Sequence, residues 1–166
     1  MTSGKRQTTE TDMDLQNIQE IPITQLIPQR PPFVMVDKVI SFNITDAATV
    51  LRISEDNLFC DGKVFSSSGI IENMAQSCAA RMGCLNLMKG DTVKIGFIGD
   101  IRNCDILRHP LAGETLTTHV HIIEDVFHLT LADVTVKVAD ETVASARMKI
   151  ALMDTEASDD TQQPLA

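Results

Sequence analysis

The stretch FSSSGIIENMAQSCAARMG, residues 65–83, restricts the folds open to this chain because it is the one long segment with a helical pattern. From Ile71 onward its apolar residues recur at steps of three, four, seven, eight and eleven, which predicts an apolar stripe along a helix. The serines before Gly69 are candidate N-caps, and Gly83 is the expected C-terminal stop. A helix of this kind has to be buried by the segments around it.

Those surrounding segments predict β-strands. Two strand-like runs precede the helix and four follow it, at 33–43, 47–54, 93–102, 114–123, 126–138 and 142–152. In one of them, apolar and polar residues alternate from Leu116 to Ile122, as on a strand with one buried face. One long helix among strands predicts an α+β fold in which a largely antiparallel sheet wraps the helix and buries its stripe.

Composition and charge narrow the function classes. The formal charge of −9 disfavours a nucleic-acid partner, because phosphate binding requires a basic surface. The most apolar stretch contains Glu72 and Arg81, so no membrane span is expected. The polar start shows no signal-peptide pattern and the four cysteines form no CxxC pair. We therefore expect a cytoplasmic protein whose thiols are reduced and buried.

The two ends of the chain are polar and lack periodicity. We expect residues 1–20 to be a disordered N-terminal tail and residues 154–166 to be an acidic, disordered C-terminal tail. Residues 21–153 are expected to form a single domain, which is long enough to bury a core.

Glu72 is the residue of the helix that suggests chemistry. Gln76 follows at i+4, so both side chains are predicted to project from one helix edge. The adjoining edge is small and apolar, formed by Ala75, Ala79 and Ala80. Apolar walls disfavour the charged form of a carboxyl group, which suits a general acid. The structural alternative is that an acidic residue in the first turn stabilises the helix through its dipole.

Other polar patterns have competing interpretations. His119 and His121 stand at i and i+2 on a strand face, a spacing that suits a metal, but no third ligand stands at a matching spacing, and no metal site is expected. The serines at 66–68 lack a GxSxG elbow and are expected to cap the helix. Gly96 and Gly99 mark either a strand bulge or the close approach of a ligand to the backbone.

Four motifs, in this order, resemble the hotdog-fold acyl carrier protein dehydratases of the FabZ type, and in particular the ApeP-like branch associated with aryl polyene pathways. They are LIPQRPPFVMVDKV, GIIENMAQ, VKIGFIGDIR and HPLAGETL, spread over residues 21–152. The resemblance implies a curved antiparallel sheet around one central helix. It also implies a side-by-side dimer with acyl tunnels at the interface between subunits.

The implied activity is dehydration of 3-hydroxyacyl thioesters, carried on acyl carrier protein, to trans-2-enoyl products. ENMAQ matches the family's acidic motif, so the resemblance implies Glu72 as general acid and Gln76 as its companion in the catalytic site. The family's general base is a His in a Gly-His-Phe-Pro loop, whereas this chain has Lys63 after Gly62. The family's LPHR motif likewise reads LIPQR, with Gln29 in place of His. No residue here matches the base.

The remaining site predictions concern substrate and carrier contacts. The Gly69 amide is the candidate for polarising the thioester carbonyl. Further candidate substrate contacts are Lys63, Gly96 and Phe97. Because a carrier protein is acidic, docking requires cationic side chains. The candidates flank the strand after the helix: Lys94, Arg102 and Arg108.

Two other functions remain open from the sequence. Without the family His, the chain is also interpretable as a subunit that pairs with an active homologue or binds acyl chains, in a homodimer or a hetero-oligomer. Alternatively, the helical carboxylate activates water in an acyl thioesterase. In each case no cofactor is expected apart from the phosphopantetheine arm of the carrier protein that presents the substrate.

Overall fold

The computed structural model describes residues 17–153, so the predicted C-terminal tail and most of the predicted N-terminal one lie outside the described residues. The last residues of the predicted N-terminal tail belong to the domain. Ile18–Glu20 form a 3-10 turn, and Ile18 is buried in the same core cluster as Leu26, Val39 and Phe42. The N-terminal boundary therefore lies before residue 21, because an apolar side chain there completes a core cluster.

Within the described residues, one α-helix and eight strands follow a second 3-10 turn, Ile23–Gln25. The helix is α1 (Ser67–Lys89), and the strands are β1 (Lys38–Phe42), β2 (Asp46–Arg52), β3 (Cys60–Asp61), β4 (Val64–Phe65), β5 (Ile95–Ile106), β6 (Thr115–Val126), β7 (Leu129–Val138) and β8 (Glu141–Met153). Six strands form one antiparallel sheet in the order β1-β2-β6-β7-β8-β5, and β3 pairs with β4. The predicted α+β architecture is confirmed.

The sheet curves around the helix. α1 contacts all six strands of the large sheet. Six strands at a spacing of about 4.8 Å span about 24 Å, whereas a helix with its side chains is only about 10–12 Å wide. A single helix reaches every strand only if the sheet bends around it, so the predicted wrapping is confirmed. α1, the one α-helix in this part of the chain, does not combine the length and apolar character needed to cross a bilayer.

The helix begins as predicted and ends later. The Ser66 hydroxyl caps it by accepting a bond from the Gly69 amide at 3.2 Å. Gly90, with a φ of 72°, is the left-handed residue that ends it, so the predicted stop at Gly83 is wrong. Gly83 lies inside the helix, where a Cβ would clash with the carbonyl oxygen of Leu26. The glycine at this position allows the 3-10 turn region to pack closely on α1.

The predicted first strand is wrong for its first five residues. Residues 33–37 are not assigned to a strand; only the Asp37 amide bonds β2, at the Val50 carbonyl, and β1 starts at Lys38. The Gln76 side chain bonds the Met35 amide and the Phe33 carbonyl, each at 2.7 Å. Asn73 Nδ2 donates to the Met35 carbonyl at 2.8 Å. Helix side chains have taken the backbone groups that a strand partner would otherwise occupy.

The most buried face of α1 is also more polar than the predicted stripe. Five polar side chains of the helix are buried: Asn73, Gln76, Ser77, Arg81 and Asn86. Asn73 accepts a bond from the Thr118 hydroxyl at 2.6 Å, and Arg81 pairs with Asp125 at 3.0 Å. Buried polar groups need such partners. The sheet therefore holds the helix in one orientation through hydrogen bonds as well as apolar packing.

The cysteines differ in their environments. Cys78 and Cys84 are buried, and burial raises the pKa of each thiol to about 12. Cys104 is exposed, so the prediction of buried thiols is wrong for this residue. It lies in the irregular part of β5 between Arg102 and Asp105, where the register to β8 shifts.

Candidate functional site

Glu72 occupies the second turn of α1. It is the sixth residue of the helix, and the first turn contains no acidic residue. The alternative in which Glu72 serves the helix dipole from the first turn is therefore wrong. Its Oε1 accepts a bond from Gln76 Nε2 at 2.7 Å, which confirms that the two side chains share an edge. The Glu72 side chain is half-buried.

Gln76 fixes the Glu72 carboxyl group relative to the segment 33–37. The Gln76 side chain is fully buried. Its Nε2 donates both to Glu72 and to the Phe33 carbonyl, while its Oε1 accepts from the Met35 amide. A carboxamide has two N–H donors, and both are used here. Gln76 is accordingly a positioning residue: it ties Glu72 to a backbone segment that cannot shift without breaking these bonds.

A cavity of about 210 Å³ lies beside this pair. Its lining consists of Gln29, Glu72, Ala75, Gly96, Phe97, Ile98 and Ile150. The structure thus brings Gly96 and Phe97, both predicted from the sequence, to Glu72. The cavity is smaller than the 300–1,000 Å³ typical of a complete ligand pocket. The described residues therefore enclose only part of a ligand pocket.

The side of the cavity along β5 is an apolar surface, which we call the open edge: residues 95–98 of β5 together with the helix line Ile71, Ala75, Ala79 and Met82. β5 is an edge strand of the sheet, and the helix line is only half-buried. Ile95 and Phe97 are 48% and 51% exposed. An unpaired strand beside an exposed apolar surface is typical of an interaction site.

Two predicted substrate contacts lie outside the cavity. The Gly69 amide donates to the Ser66 hydroxyl, and the space above its Cα is filled by Phe65 and Phe59. This amide is committed to the helix cap and is therefore not free to polarise a thioester carbonyl. Lys63 is exposed in the turn between β3 and β4. Both residues are candidate substrate contacts from the sequence, but neither is among the residues lining the cavity.

The three predicted docking cations do not form one patch. Lys94 precedes β5 and Arg108 follows it, so they are separated by on the order of 40 Å along the strand. Arg102, between them, is exposed and bonds Asp100 at 2.6 Å. The three docking candidates are therefore spread along β5, because the strand is long and its two ends lie apart.

Arg108 is paired with two carboxylates. Its guanidinium donates to Glu114 at 2.9 Å and to Glu141 at 3.0 Å. The hydrogen bond from Arg108, with a second one from the Leu111 amide, holds the pKa of Glu114 below its usual value. Because two carboxylates already neutralise the charge of Arg108, this side chain contributes little to the binding of an acidic partner. Arg108 instead fixes the connection between β5 and β6.

The histidines do not line the cavity of Glu72 in the described part of the chain. His109 Nε2 bonds the Ser67 hydroxyl at 2.9 Å, and His121 Nδ1 bonds Asp46 at 2.7 Å on the solvent face of the sheet. His119 is exposed on that same face. Between residues 17 and 153, no group of three potential ligands is arranged to hold a metal ion.

Gln29 is the site residue whose position the sequence did not reveal. It lines the cavity with Glu72, although more than forty positions separate the two in the chain. The departure of LIPQR from the family motif was the available signal. It indicated a difference at this position but not that the side chain would face the acid.

Comparison with known proteins places the chain in a family. It matches the family model ApeP-like (ApeP dehydratase) over residues 21–162. It is 28% identical over 144 residues to the 3-hydroxyacyl-acyl carrier protein dehydratase FabZ of Clostridioides difficile, covering 83% of this chain and 98% of the relative. It is 32% identical over 117 residues to FabZ of Oceanobacillus iheyensis, covering 67% and 78%.

A solved structure shares the fold. The dehydratase heterocomplex ApeI:P from Xenorhabdus doucetiae aligns with a TM-score of 0.77 at 15% identity, over 81% of this chain and 93% of that one. This likeness confirms the hotdog fold that the sequence motifs implied. The family match spans the central helix, the six-stranded sheet and Glu72. The chain belongs to the ApeP-like family of hotdog-fold dehydratases.

Proposed function

We propose that this chain dehydrates 3-hydroxyacyl thioesters carried on acyl carrier protein to trans-2-enoyl products, with Glu72 as the general acid. Membership of a dehydratase family and the FabZ relatives support the reaction class. The observation that carries the proposal is the carboxyl group of Glu72, oriented by Gln76 at the wall of a largely apolar cavity.

The geometry suggests how Glu72 acts. Its Oε1 is held by Gln76, so Oε2 carries the proton that is transferred. This proton moves to the 3-hydroxyl oxygen as the C3–O bond breaks, and water leaves. The electron pair of the C2–H bond forms the C2–C3 double bond, while a general base takes the C2 proton. The substrate loses one water in total, and Glu72 regains its proton from solvent. Positioned proton transfer of this kind is worth about 10²–10⁴-fold in rate.

We further propose that the base comes from a second hotdog subunit placed against the open edge. The histidines among residues 17–153 do not line the cavity, and Lys63 would need a desolvated, neutral amine to act as a base, whereas it is exposed. The cavity is open along β5, where a side-by-side subunit would add the missing wall. The Xenorhabdus relative in structure is a heterocomplex, which favours a hetero-oligomer over a homodimer here.

The carrier protein would present its substrate on a phosphopantetheine arm, and the chain needs no further cofactor for this reaction. With Arg108 matched by two carboxylates, Lys94 and Arg102 remain the proposed contacts for an acidic carrier. Both belong to the half of the molecule that contains the open edge, Arg102 within β5 and Lys94 directly before it. A cytoplasmic location stays a prediction.

Intact-mass analysis of a 3-hydroxyacyl carrier protein tests the proposed reaction. The substrate is incubated with the purified chain alone and with the chain co-expressed with a second hotdog protein from the same source. We expect the acyl carrier to lose one water in the mixed sample. Release of the free carrier thiol would instead identify a thioesterase. An unchanged carrier mass in both samples would overturn the proposal, and full activity of the chain alone would overturn the need for a partner.

A further inference from the structure

The side chain of Gln29 has an unsatisfied acceptor beside Glu72. Gln29 lines the cavity that contains the Glu72 carboxyl group. Its Oε1 is buried and has no hydrogen-bond partner among the described residues. A buried acceptor without a donor costs free energy that a ligand donor recovers. Two polar groups therefore meet at a largely apolar cavity, one of them still lacking its partner.

The backbone at Gln29 is fixed by its neighbour. Arg30 folds its guanidinium back so that Nη1 donates to the carbonyls of Ile27, Pro28 and Gln29 at 2.9, 3.1 and 2.8 Å. A few residues later the Phe33 carbonyl is bonded by Gln76, the same side chain that holds Glu72. Gln29 and Glu72 are thus held in the same framework before any ligand enters. An unsatisfied group in a fixed position is suited to recognition.

We infer that Gln29 is a specificity-determining residue whose Oε1 accepts a hydrogen bond from the 3-hydroxyl of the substrate. This inference rests on the proposed function. A hydroxyl group has one donor and two acceptor lone pairs. Glu72, as the acid, donates to one lone pair, so the hydroxyl hydrogen needs an acceptor on another side. Gln29 supplies that acceptor from the same cavity.

The contact selects for a hydroxyl group at C3 of the acyl chain. A 3-hydroxyacyl group has a donor at this position, whereas the 2-enoyl product, a saturated acyl chain and a 3-oxoacyl chain have none. A site built to bond a hydroxyl group rejects analogues that lack it, because the acceptor is then left buried and unpaired. Gln29 therefore favours the hydroxylated substrate over the product, which assists product release.

Gln29 differs in this respect from Gln76. The Gln76 carboxamide makes three bonds to the protein, so its loss damages the framework. No described residue donates to the Gln29 carboxamide oxygen, so a methionine at this position removes the acceptor at little structural cost. Gln29→Met is accordingly the informative variant. Gln25→Met, at an exposed position on the preceding 3-10 turn, is the matched control.

The test compares binding of two non-reactive pantetheine analogues, 3-hydroxybutyryl amide and butyryl amide, to the full chain in its active assembly. We expect the wild type and Gln25→Met to prefer the hydroxylated analogue. Gln29→Met should lose about tenfold in affinity for it and keep its affinity for butyryl amide, with an unchanged melting temperature. Equal loss for both analogues, or no loss for either, would overturn the inference.

Catalysis separates this inference from the proposed function. In turnover, Gln29→Met should raise the KM for the hydroxyacyl thioester, and this fold-increase should be about ten times the fold-decrease in kcat. The reason is that the contact is already made in the bound substrate. If the wild type dehydrates and the preference for the hydroxylated analogue survives in Gln29→Met, the inference fails and the function stands. If the preference is lost in the variant but the wild type does not dehydrate, the function fails and hydroxyl recognition stands.

Discussion

At the scale of single residues, the site depends on Gln76 as much as on Glu72. A carboxyl group on a helix edge has several rotamers, and the bond from Gln76 selects one of them. The bonds of Gln76 to Phe33 and Met35 then fix that rotamer relative to a neighbouring segment. The family motif identified both residues, but it did not indicate that Gln76 also holds segment 33–37 on the helix.

Gln76→Leu should therefore cost both stability and activity. The variant leaves the Phe33 carbonyl and the Met35 amide unpaired in a buried region, and each loss costs about 1–3 kcal/mol. Chemical denaturation should show a decrease of at least about 2 kcal/mol in the free energy of unfolding. Gln25→Leu, on the surface, is the control and should leave stability within about 0.5 kcal/mol of the wild type. Equal free energies of unfolding for the two variants would contradict the role of Gln76 in holding segment 33–37 on the helix.

Gly69 and Lys63 show the limits of single-sequence inference at this scale, since neither lines the cavity of Glu72. Gly69 is a candidate because an amide at a helix N-terminus can polarise a carbonyl, and Lys63 because it stands in the loop where the family has its His. The Gly69 amide is used by Ser66, a local bond that the serine pattern already suggested. Gln29 and Glu72 line one cavity only in the folded chain, so no local sequence pattern predicts that they lie together.

At the scale of elements, periodicity predicted the helix and the strands of the large sheet. It did not predict where the first strand begins or where the helix ends. The FVMV run has the composition of a strand, yet its backbone bonds go to Asn73 and Gln76 of the helix. Gly83 has the signature of a helix stop, yet it is a contact point inside the helix. Both errors have the same cause: contacts with distant parts of the chain, rather than local propensity, determine the structure at these positions.

Gly83→Ala tests the packing explanation for this glycine. In an open helix the change would stabilise by about 1 kcal/mol. Here the added Cβ clashes with the Leu26 carbonyl, so we expect a loss of about 1–3 kcal/mol in the free energy of unfolding. Gly90→Ala is the comparison: its Cβ meets nothing within 4 Å, and its cost, about 1–2 kcal/mol, comes from the positive φ alone.

Crystallography of the two variants separates the two causes. Gly83→Ala should displace the turn around Leu26 from the helix, whereas Gly90→Ala should leave that turn in place. A Gly83→Ala protein that is more stable than the wild type would show that the helix has room at this position and would contradict the packing explanation.

At the scale of the whole molecule, the described residues form a well-packed core, whereas the cavity beside Glu72 is only about 210 Å³. Its sheet encloses the helix on one side, while the open edge exposes apolar residues next to Glu72. The sequence predicted the sheet, the helix and the acid, because these are encoded by periodicity and by a motif. It did not identify a general base, because no residue of this chain matches the family's base motif.

Phe97→Lys should weaken subunit association. Phe97 lies on β5 with 51% of its surface exposed, and a lysine on an edge strand opposes pairing with another strand. Light scattering after size exclusion should show the wild-type assembly as a dimer or larger and Phe97→Lys shifted toward the monomer. Phe127→Asn, at a 94% exposed position in the β6–β7 turn, should leave the assembly intact. A wild-type chain that stays monomeric alone and with its partner would refute the interface.

The most direct measurement is the single-turnover rate at which the assembled Glu72→Gln protein removes water from a 3-hydroxyacyl carrier protein. Glutamine keeps the size and polarity of the side chain but has no carboxyl proton to transfer. We expect the variant to bind the substrate with near wild-type affinity and to dehydrate it about 10²–10⁴-fold more slowly. A rate within a few-fold of the wild type would contradict the role of Glu72 as the general acid.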